Sequence, residues 1–330
     1  MQSSNIEWFS IEGHSEQCFQ WYIGGRGIGK TYSALSLFTA PGQVGIYLRT
    51  TETEISIACS EEGNVFKKLS RDRCINIEAS GYDEKKKLGT FTLDGQLIGY
   101  GIALSTFGRV RGIDLSDVDF IVYDEVIPEK HIRRIKDSGL AFANAYESIN
   151  RNRELEGKPP IRVYFLANSI SLDNDVMLAQ GICQLIPRML RKNMREYTDR
   201  ERLLYINLCP NKVSEYKRDT AIYKLMKDTS FSDQALDNRF ADDSLQLECK
   251  VNLREYNPII KYDNIVCYRH KSKNVLYFSR GGNAPLSYKR DQAQSFKTKF
   301  RATYTLAVMR DQAYFAEYDI KLILDRMFNI

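Results

Sequence analysis

The residues whose types and spacing most clearly make chemistry are Gly24, Gly29, Lys30 and Thr31, within WYIGGRGIGKTYSAL at 21–35. They satisfy G-x-x-x-x-G-K-[ST], a loop whose glycines let backbone N–H groups wrap an anion while the helix that follows adds positive potential at its N-terminus. In this pattern Lys30 reaches the β- and γ-phosphates of a nucleoside triphosphate and Thr31 joins a Mg²⁺ shell. The expected nucleotide-binding set is Gly24, Gly25, Arg26, Gly27, Ile28, Gly29, Lys30, Thr31 and Tyr32, with ATP and Mg²⁺ as cofactors. NKVS at 211 starts like the guanine-reading NKxD motif but ends in Ser214, so ATP is the default.

A second group follows at FIVYDE, 120–125. A buried strand ending in Asp124 puts a carboxylate beside the loop, where it serves the metal, and Glu125 is set to orient or deprotonate an attacking water. A base for water suits hydrolysis rather than transfer to a small-molecule acceptor. IRVYFLANS, 161–169, ends a third apolar run in Asn168, which either senses the γ-phosphate or the water, or caps the next helix. Arg26, inside the loop, either touches phosphate or braces Glu125. Arg151 and Arg153, in SINRNRE, close a helical stretch; one of them projects into a neighbouring subunit's nucleotide site as a finger, or both are exposed helix-end arginines favoured by the dipole. Arg109 and Arg111, in FGRVRG, are further candidates for the finger. HExxH, GxSxG and a complete EF-hand loop are all missing from the sequence.

These groups need strands to end near one another. Short β-rich runs alternate with helical periodicity: CFQWYIG, a helix at 30–38, VGIYLRT, then GTFTLDGQLIGYGIALS with Asp94-Gly95 as a two-residue hairpin turn. DFIVYDE, a long helical stretch at 129–152 and IRVYFLANS complete the series. Alternation of this kind predicts an α/β fold with a mainly parallel sheet covered on both faces. From 188 to 247 the pattern reads as helical and highly charged, a lid or linker. After Asn257-Pro258, the runs IIKY, NIVCYRH and NVLYFSR read as a meander, and AEYDIKLILDRMF as a closing helix. The expected division is an ATPase domain at 1–200, a helical lid or linker at 201–246 and a small α+β nucleic-acid-binding domain at 247–330.

Composition narrows the field. The seven cysteines are scattered, with no CxxC and no pairing with the three histidines, which argues against a disulfide framework or a zinc site. No apolar stretch is long enough for a membrane span and MQSSNIEWFSIEGH has no secretory pattern, so a cytoplasmic protein is expected. Net charge is only +5, yet residues 261–310 carry eleven Lys/Arg against Asp263 and Asp291, leaving the rest net acidic. Such a C-terminal unit either binds a phosphate backbone or is a solvated basic surface.

GGRGIGKT, IYLRT, the hairpin before FIVYDE, RNRE, LANSIS and LDNRFADDS (236–244) run in this order over nearly the whole chain. Together they resemble the DNA-encapsidation ATPases of small podophages, the phi-29-type packaging motors. The loop and the Asp-Glu pair are common to many ATPases; the arginine within the loop, RNRE and LDNRFADDS are the specific part. The resemblance implies a P-loop ASCE-type ATPase domain and an RNase H-like C-terminal domain that is a vestigial nuclease, without cutting activity. It implies a ring, of five subunits, docked on the portal of a procapsid in the host cytoplasm and driving double-stranded DNA inward. It assigns nucleotide and metal to Lys30 and Thr31, metal to Asp124, activation of water to Glu125, the finger to Arg151 and a second trans-acting base to Arg111. Some members of the family use a structural RNA, and the sequence leaves that open. TETEIS after IYLRT departs from the family by having no lysine, so a 50–60 loop gripping DNA by charge is in question. The rival readings are a P-loop helicase or helicase loader acting on single strands, a nucleotide-gated DNA-binding module, and a terminase-like enzyme with a live nuclease.

Overall fold

The computed structural model describes residues 7–12, 15–110, 112–128, 135, 137–168, 172–210, 212–227 and 249–330. Arg111, residues 129–134 of the expected long helix, and LDNRFADDS lie outside these described residues. The chain groups into two units, Met1–Gln180 with Met189–Ala241, and Gly181–Arg188 with Asp242–Ile330.

In the first unit the phosphate-loop strand, β1 (Phe19–Gly24), is buried on both faces, with Gln20, Trp21, Tyr22 and Ile23 at most 1% exposed. Such a run needs strands on either side and cover above and below. The described strands that follow are β2 (Gly45–Arg49), β3 (Ile77–Asp83), β4 (Leu88–Leu93), β5 (Gln96–Ala103), β6 (Phe120–Tyr123), β7 (Arg162–Asn168), β8 (Glu196–Asp199) and β9 (Leu204–Leu208). They form one sheet in the order β3-β4-β5-β2-β6-β7-β1-β9-β8. The ladders from β5 to β9 are parallel, and antiparallel strands close both edges. Asp94 and Gly95 both take positive φ, 50° and 79°, the geometry of a tight two-residue turn between β4 and β5.

Helices α1 (Lys30–Ser36), α2 (Glu52–Ala58), α3 (Lys67–Arg73), α4 (Phe107–Val110), α5 (Ser138–Asn150), α6 (Asp175–Ala179), α7 (Ile182–Arg191), α8 (Ser214–Arg218) and α9 (Ala221–Leu225) come between or after these strands. Phe38 packs edge-on against Phe66 and Phe120, at 5.2 and 4.8 Å between centroids, and Trp21 stacks on Phe165 at 4.4 Å. These rings fix the sheet that aims β1, β6 and β7 at one edge.

Two expectations are corrected here. The charged stretch from 188 is not helical throughout: β8 and β9 form a hairpin in it, and β9 lies parallel beside β1. Leu204, Tyr205 and Ile206 are buried in the sheet, so hydrophobic burial overrides the charged residues that precede them, and the expected lid at 201–246 begins inside the main sheet. The expected loop at 50–60 contains α2, because Thr51 and Glu54 form a capping box at its start.

The second unit carries a five-stranded sheet in the order β13-β10-β11-β12-β14, from β10 (Tyr256–Tyr262), β11 (Ile265–His270), β12 (Leu276–Arg280), β13 (Leu286–Tyr288) and β14 (Ala313–Phe315). The expected meander is β10-β11-β12, antiparallel throughout. Two helices, α10 (Ala293–Met309) and α11 (Tyr318–Phe328), complete it. Phe296, Phe300, Tyr304 and Ala307 form the buried stripe of α10, and Phe278, Phe315 and Phe328 meet it in the core.

Candidate nucleotide site

The loop between β1 and α1 turns at Gly29, whose φ of 110° is open to glycine and strained for other residues. Lys30 then starts α1 with its side chain folded under the loop. Its Nζ donates to the carbonyls of Gly24 at 3.0 Å and Gly25 at 2.8 Å, and to Asn168 Oδ1 at 3.3 Å. Only 6% of Lys30 is exposed. Burial lowers its pKa to about 8; the cations Lys217 and Arg26 push the same way, against Cys209 and Asp124. A buried ammonium held by neutral acceptors is a receptor for a compact anion such as phosphate.

One residue along, Thr31 Oγ1 lies 3.2 Å from each carboxylate oxygen of Asp124. Asp124 follows β6 and is 5% exposed. Its Oδ2 also accepts from the Tyr47 hydroxyl at 3.0 Å, and its Oδ1 from the Glu125 backbone N–H at 3.0 Å. Burial and the Asp124 charge push the Tyr47 hydroxyl well above its ordinary pKa, so it remains a donor. A hydroxyl and a carboxylate side by side fit the all-oxygen shell that Mg²⁺ requires.

Glu125 has a positive φ of 52°, costly for a residue with a side chain, which turns the chain sharply at the strand end. Its Oε2 accepts from Arg49 Nη2 at 2.6 Å. The same nitrogen donates to Glu54 Oε1 at 2.8 Å, and Arg49 Nη1 lies 3.7 Å from Asp124 Oδ2. Burial works against the Arg49 charge, but Tyr47, Asp124 and Glu125 hold its pKa above the ordinary value. Glu54 is itself fixed by Thr51, whose hydroxyl donates to Oε2 at 2.7 Å.

Arg26, Gly27, Gly29, Lys30, Thr31, Tyr32, Asp124, Glu125 and Asn168 thus line one cavity of about 760 Å³. Gly24 and Gly25 supply carbonyls beneath it, and Ile28 turns into the core at 1% exposure. Asn168 points at Lys30 and does not cap the following helix: Asn174 caps α6, its side chain accepting from Val176 and Met177 N–H. Arg26 is exposed at the cavity mouth.

The two helix-end arginines differ. Arg153 is tied to its own fold, with Nη1 on the carbonyls of Val118 at 2.7 Å and Ser116 at 3.4 Å, and Nη2 3.8 Å from Asp119. Arg151 is exposed at the end of α5, its Nε on the Ser148 carbonyl at 3.1 Å, and is not among the residues lining the cavity of its own chain. Arg111 lies outside the described residues. Of the basic residues at 261–310, Arg280 is held by Glu317, Asp319 and Asn264, and Arg290 by Asp263 at 2.9 Å, whereas Arg269, Lys271, Lys273, Lys299 and Arg301 are exposed.

Arg49 and Tyr47 are the site residues that the sequence reading missed. The signal is a register: β2 and β6 are parallel with Leu48 opposite Tyr123, so the residue after Leu48 comes level with Asp124. Among the described residues no helix is long and apolar enough to cross a membrane.

Solved structures resemble the chain over nearly its whole length. The bacteriophage Phi-29 viral genome packaging motor assembly matches with a TM-score of 0.64 at 18% identity, over 95% of each chain. The Phi-28 gp11 DNA packaging motor matches with 0.62 at 19%, over 96% of each. At these identities the likeness shows the fold, an α/β chain with a large, mainly parallel sheet, as the sequence pattern leads one to expect. By sequence, the DNA packaging protein of Bacillus phage phi29 is 28% identical over 236 residues, covering 69% of this chain and 64% of that relative. The match therefore spans just under two thirds of the relative's length. The family model for the podovirus DNA encapsidation protein (Gp16) matches residues 13–283, and the chain belongs to that family.

Proposed function

We propose that this chain is an ATP-driven motor that moves double-stranded viral DNA into a preformed procapsid. The observation that carries the reading is the convergence of Lys30, Thr31, Asp124 and Glu125 on one cavity in a member of the encapsidation family. In this reading Lys30 exchanges the Gly24 and Gly25 carbonyls for the β- and γ-phosphates, and loop N–H groups take the remaining phosphate oxygens. Thr31 and Asp124 hold Mg²⁺, which when bound neutralises charge developing between the β- and γ-phosphates. Glu125 accepts the proton of the attacking water once its carboxylate leaves Arg49. Asn168 stays beside Lys30 and orients the γ-phosphate or the water.

Arg151, exposed and outside its own cavity, is the candidate finger for a neighbouring subunit in a ring at the portal vertex. Arg26 remains at the mouth of its own site. The exposed lysines and arginines of the second unit hold backbone phosphates of the duplex, an electrostatic contact without sequence preference. No nuclease activity is proposed.

The test is ATP turnover by the full chain at rising protein concentration, with and without duplex DNA, together with a strand-separation assay. Turnover per subunit that rises with concentration and with duplex, without unwinding, supports the ring motor. Turnover indifferent to both overturns it, and strand separation favours the helicase reading.

A further inference from the structure

Three consecutive carbonyls of the phosphate loop are held by ammonium groups. Lys30 takes those of Gly24 and Gly25, and the third, of Arg26, accepts from Nζ of Lys217 in α8, 191 residues further along the chain. In the sequence Lys217 is one of several charged residues in SEYKRDTAIYKLMKDT, with nothing to single it out.

The segment that brings Lys217 is fastened to the loop strand. Just past β9 the Cys209 N–H donates to the Ile23 carbonyl at 2.7 Å, and a Cβ on Gly24 would stand 2.9 Å from the Cys209 Cβ. Val213, 4% exposed, anchors the start of α8, its carbonyl accepting from the Lys217 N–H at 3.1 Å. Thr220 closes the turn by donating its N–H and its hydroxyl to the Lys217 carbonyl, each at 2.9 Å. With its backbone fixed at both groups, Lys217 lays a half-buried side chain along the loop. A Cβ on Gly27 would come within 3.0 Å of Lys217 Nζ, so glycine at 27 leaves room for the ammonium.

A trans peptide unit points its carbonyl and the N–H of the next residue in opposite directions. Holding the Arg26 carbonyl therefore aims the Gly27 N–H away from Lys217. Gly27 lines the cavity and Lys217 does not, so the N–H is turned to the side that phosphate would occupy. A cation on the carbonyl also polarises the amide and strengthens its N–H as a donor. In the nucleotide reading Lys30 leaves its two carbonyls for phosphate, whereas Lys217, outside the cavity, keeps its own. We propose, resting on that reading, that Lys217 is a positioning residue for the triphosphate: bound to the Arg26 carbonyl, it orients and polarises the Gly27 N–H toward a phosphate oxygen. It touches no phosphate itself, and its effect is on the phosphate chain rather than on the base.

Calorimetric titration of the full chain with ATP and with inorganic tripolyphosphate tests this, together with the Gly27 amide resonance in chain carrying isotope-labelled glycine. In the wild type the Gly27 amide proton moves downfield when tripolyphosphate binds. Lys217→Met weakens ATP and tripolyphosphate by the same factor, at least about tenfold, as loss of one hydrogen bond to a charged group does, and removes most of the downfield shift. Lys217→Arg, whose guanidinium also donates to a carbonyl, restores both. Wild-type affinity in Lys217→Met overturns the proposal, as does weakened binding with the Gly27 shift intact, which would make Lys217 a remote prop. A loss in Lys217→Arg as large as in Lys217→Met overturns it too. Should Lys217→Met fail to fold, Lys217→Gln, a neutral donor, makes the same comparison with a smaller loss expected, and wild-type affinity there counts equally against the proposal. If the wild type binds neither ligand, the nucleotide reading falls, and this proposal with it.

Discussion

Arg49 Nη2 lies 2.6 Å from Glu125 Oε2, so the carboxylate expected to activate water is bound to a guanidinium brought by the neighbouring strand. The same guanidinium reaches Glu54 at the start of α2. Three acidic groups, two of them in the candidate site, therefore share one cation that is 16% exposed.

Arg49→Ala should leave these carboxylates uncompensated. A stability loss of about 2 kcal/mol is expected, below the roughly 3–5 of a fully buried pair because the Glu125 side chain is 44% exposed. Turnover should fall at least about tenfold as the Glu125 position is lost, with ATP affinity within about threefold of wild type. Arg49→Lys cannot span Glu54, Glu125 and Asp124 with one planar group, and should restore stability better than turnover. Thermal melts and steady-state kinetics on the pair check this; wild-type turnover in Arg49→Ala would remove Arg49 from the site.

Glu125→Gln keeps the shape and removes the base. Nucleotide binding should persist while turnover drops by roughly 10²–10⁴. Binding by calorimetry and turnover by phosphate release separate the two effects, and normal turnover in this variant would eliminate Glu125 as the base.

The two helix-end arginines should fail in different ways. Arg153→Ala loses hydrogen bonds to Val118 and Ser116 and should cost about 1–3 kcal/mol of stability, with turnover per folded molecule nearly unchanged. Arg151→Ala should melt like wild type and lose most turnover, by up to roughly 10³–10⁵ if it acts as a finger. A melting curve and a rate for each variant are enough to tell the roles apart, and the reverse pattern would exchange them.

Lys30 sets a pH signature. Its folded pKa of about 8 lies below the ordinary 10.5, so between these values the unfolded chain binds more protons and the ligand-free fold gains stability as pH rises. Phosphate binding favours the charged form, so ATP affinity should weaken as pH rises above about 8. At pH near 9 binding should take up a proton, seen as a buffer-dependent heat in calorimetry. Lys30→Met should abolish that uptake, and uptake that persisted in the variant would place the titrating group elsewhere.

Much of the site is legible in the sequence because it rests on local spacing. The glycine pattern, the acids after FIVY and the asparagine after YFLA each lie at the end of an apolar run, and parallel pairing of β1, β6 and β7 brings those ends together. Arg49 is not legible in this way, since its partners Glu125 and Glu54 depend on strand register and on a capping box that turns an expected loop into α2. The β8-β9 hairpin was obscured by charged residues around a short buried core run. α10 was hidden similarly: its apolar stripe Phe296, Phe300, Tyr304 and Ala307 is interleaved with lysines and an arginine.

The most direct measurement is nuclease protection: duplex DNA, ATP, procapsids with their portal, and this chain, followed by nuclease and recovery of protected DNA. Full-length DNA should be protected with the wild-type chain and ATP, and not with Glu125→Gln or without the chain. Protection that is the same with Glu125→Gln as with the wild type, or its complete absence while the wild-type chain hydrolyses ATP on duplex DNA, would contradict the assignment of this chain as the motor.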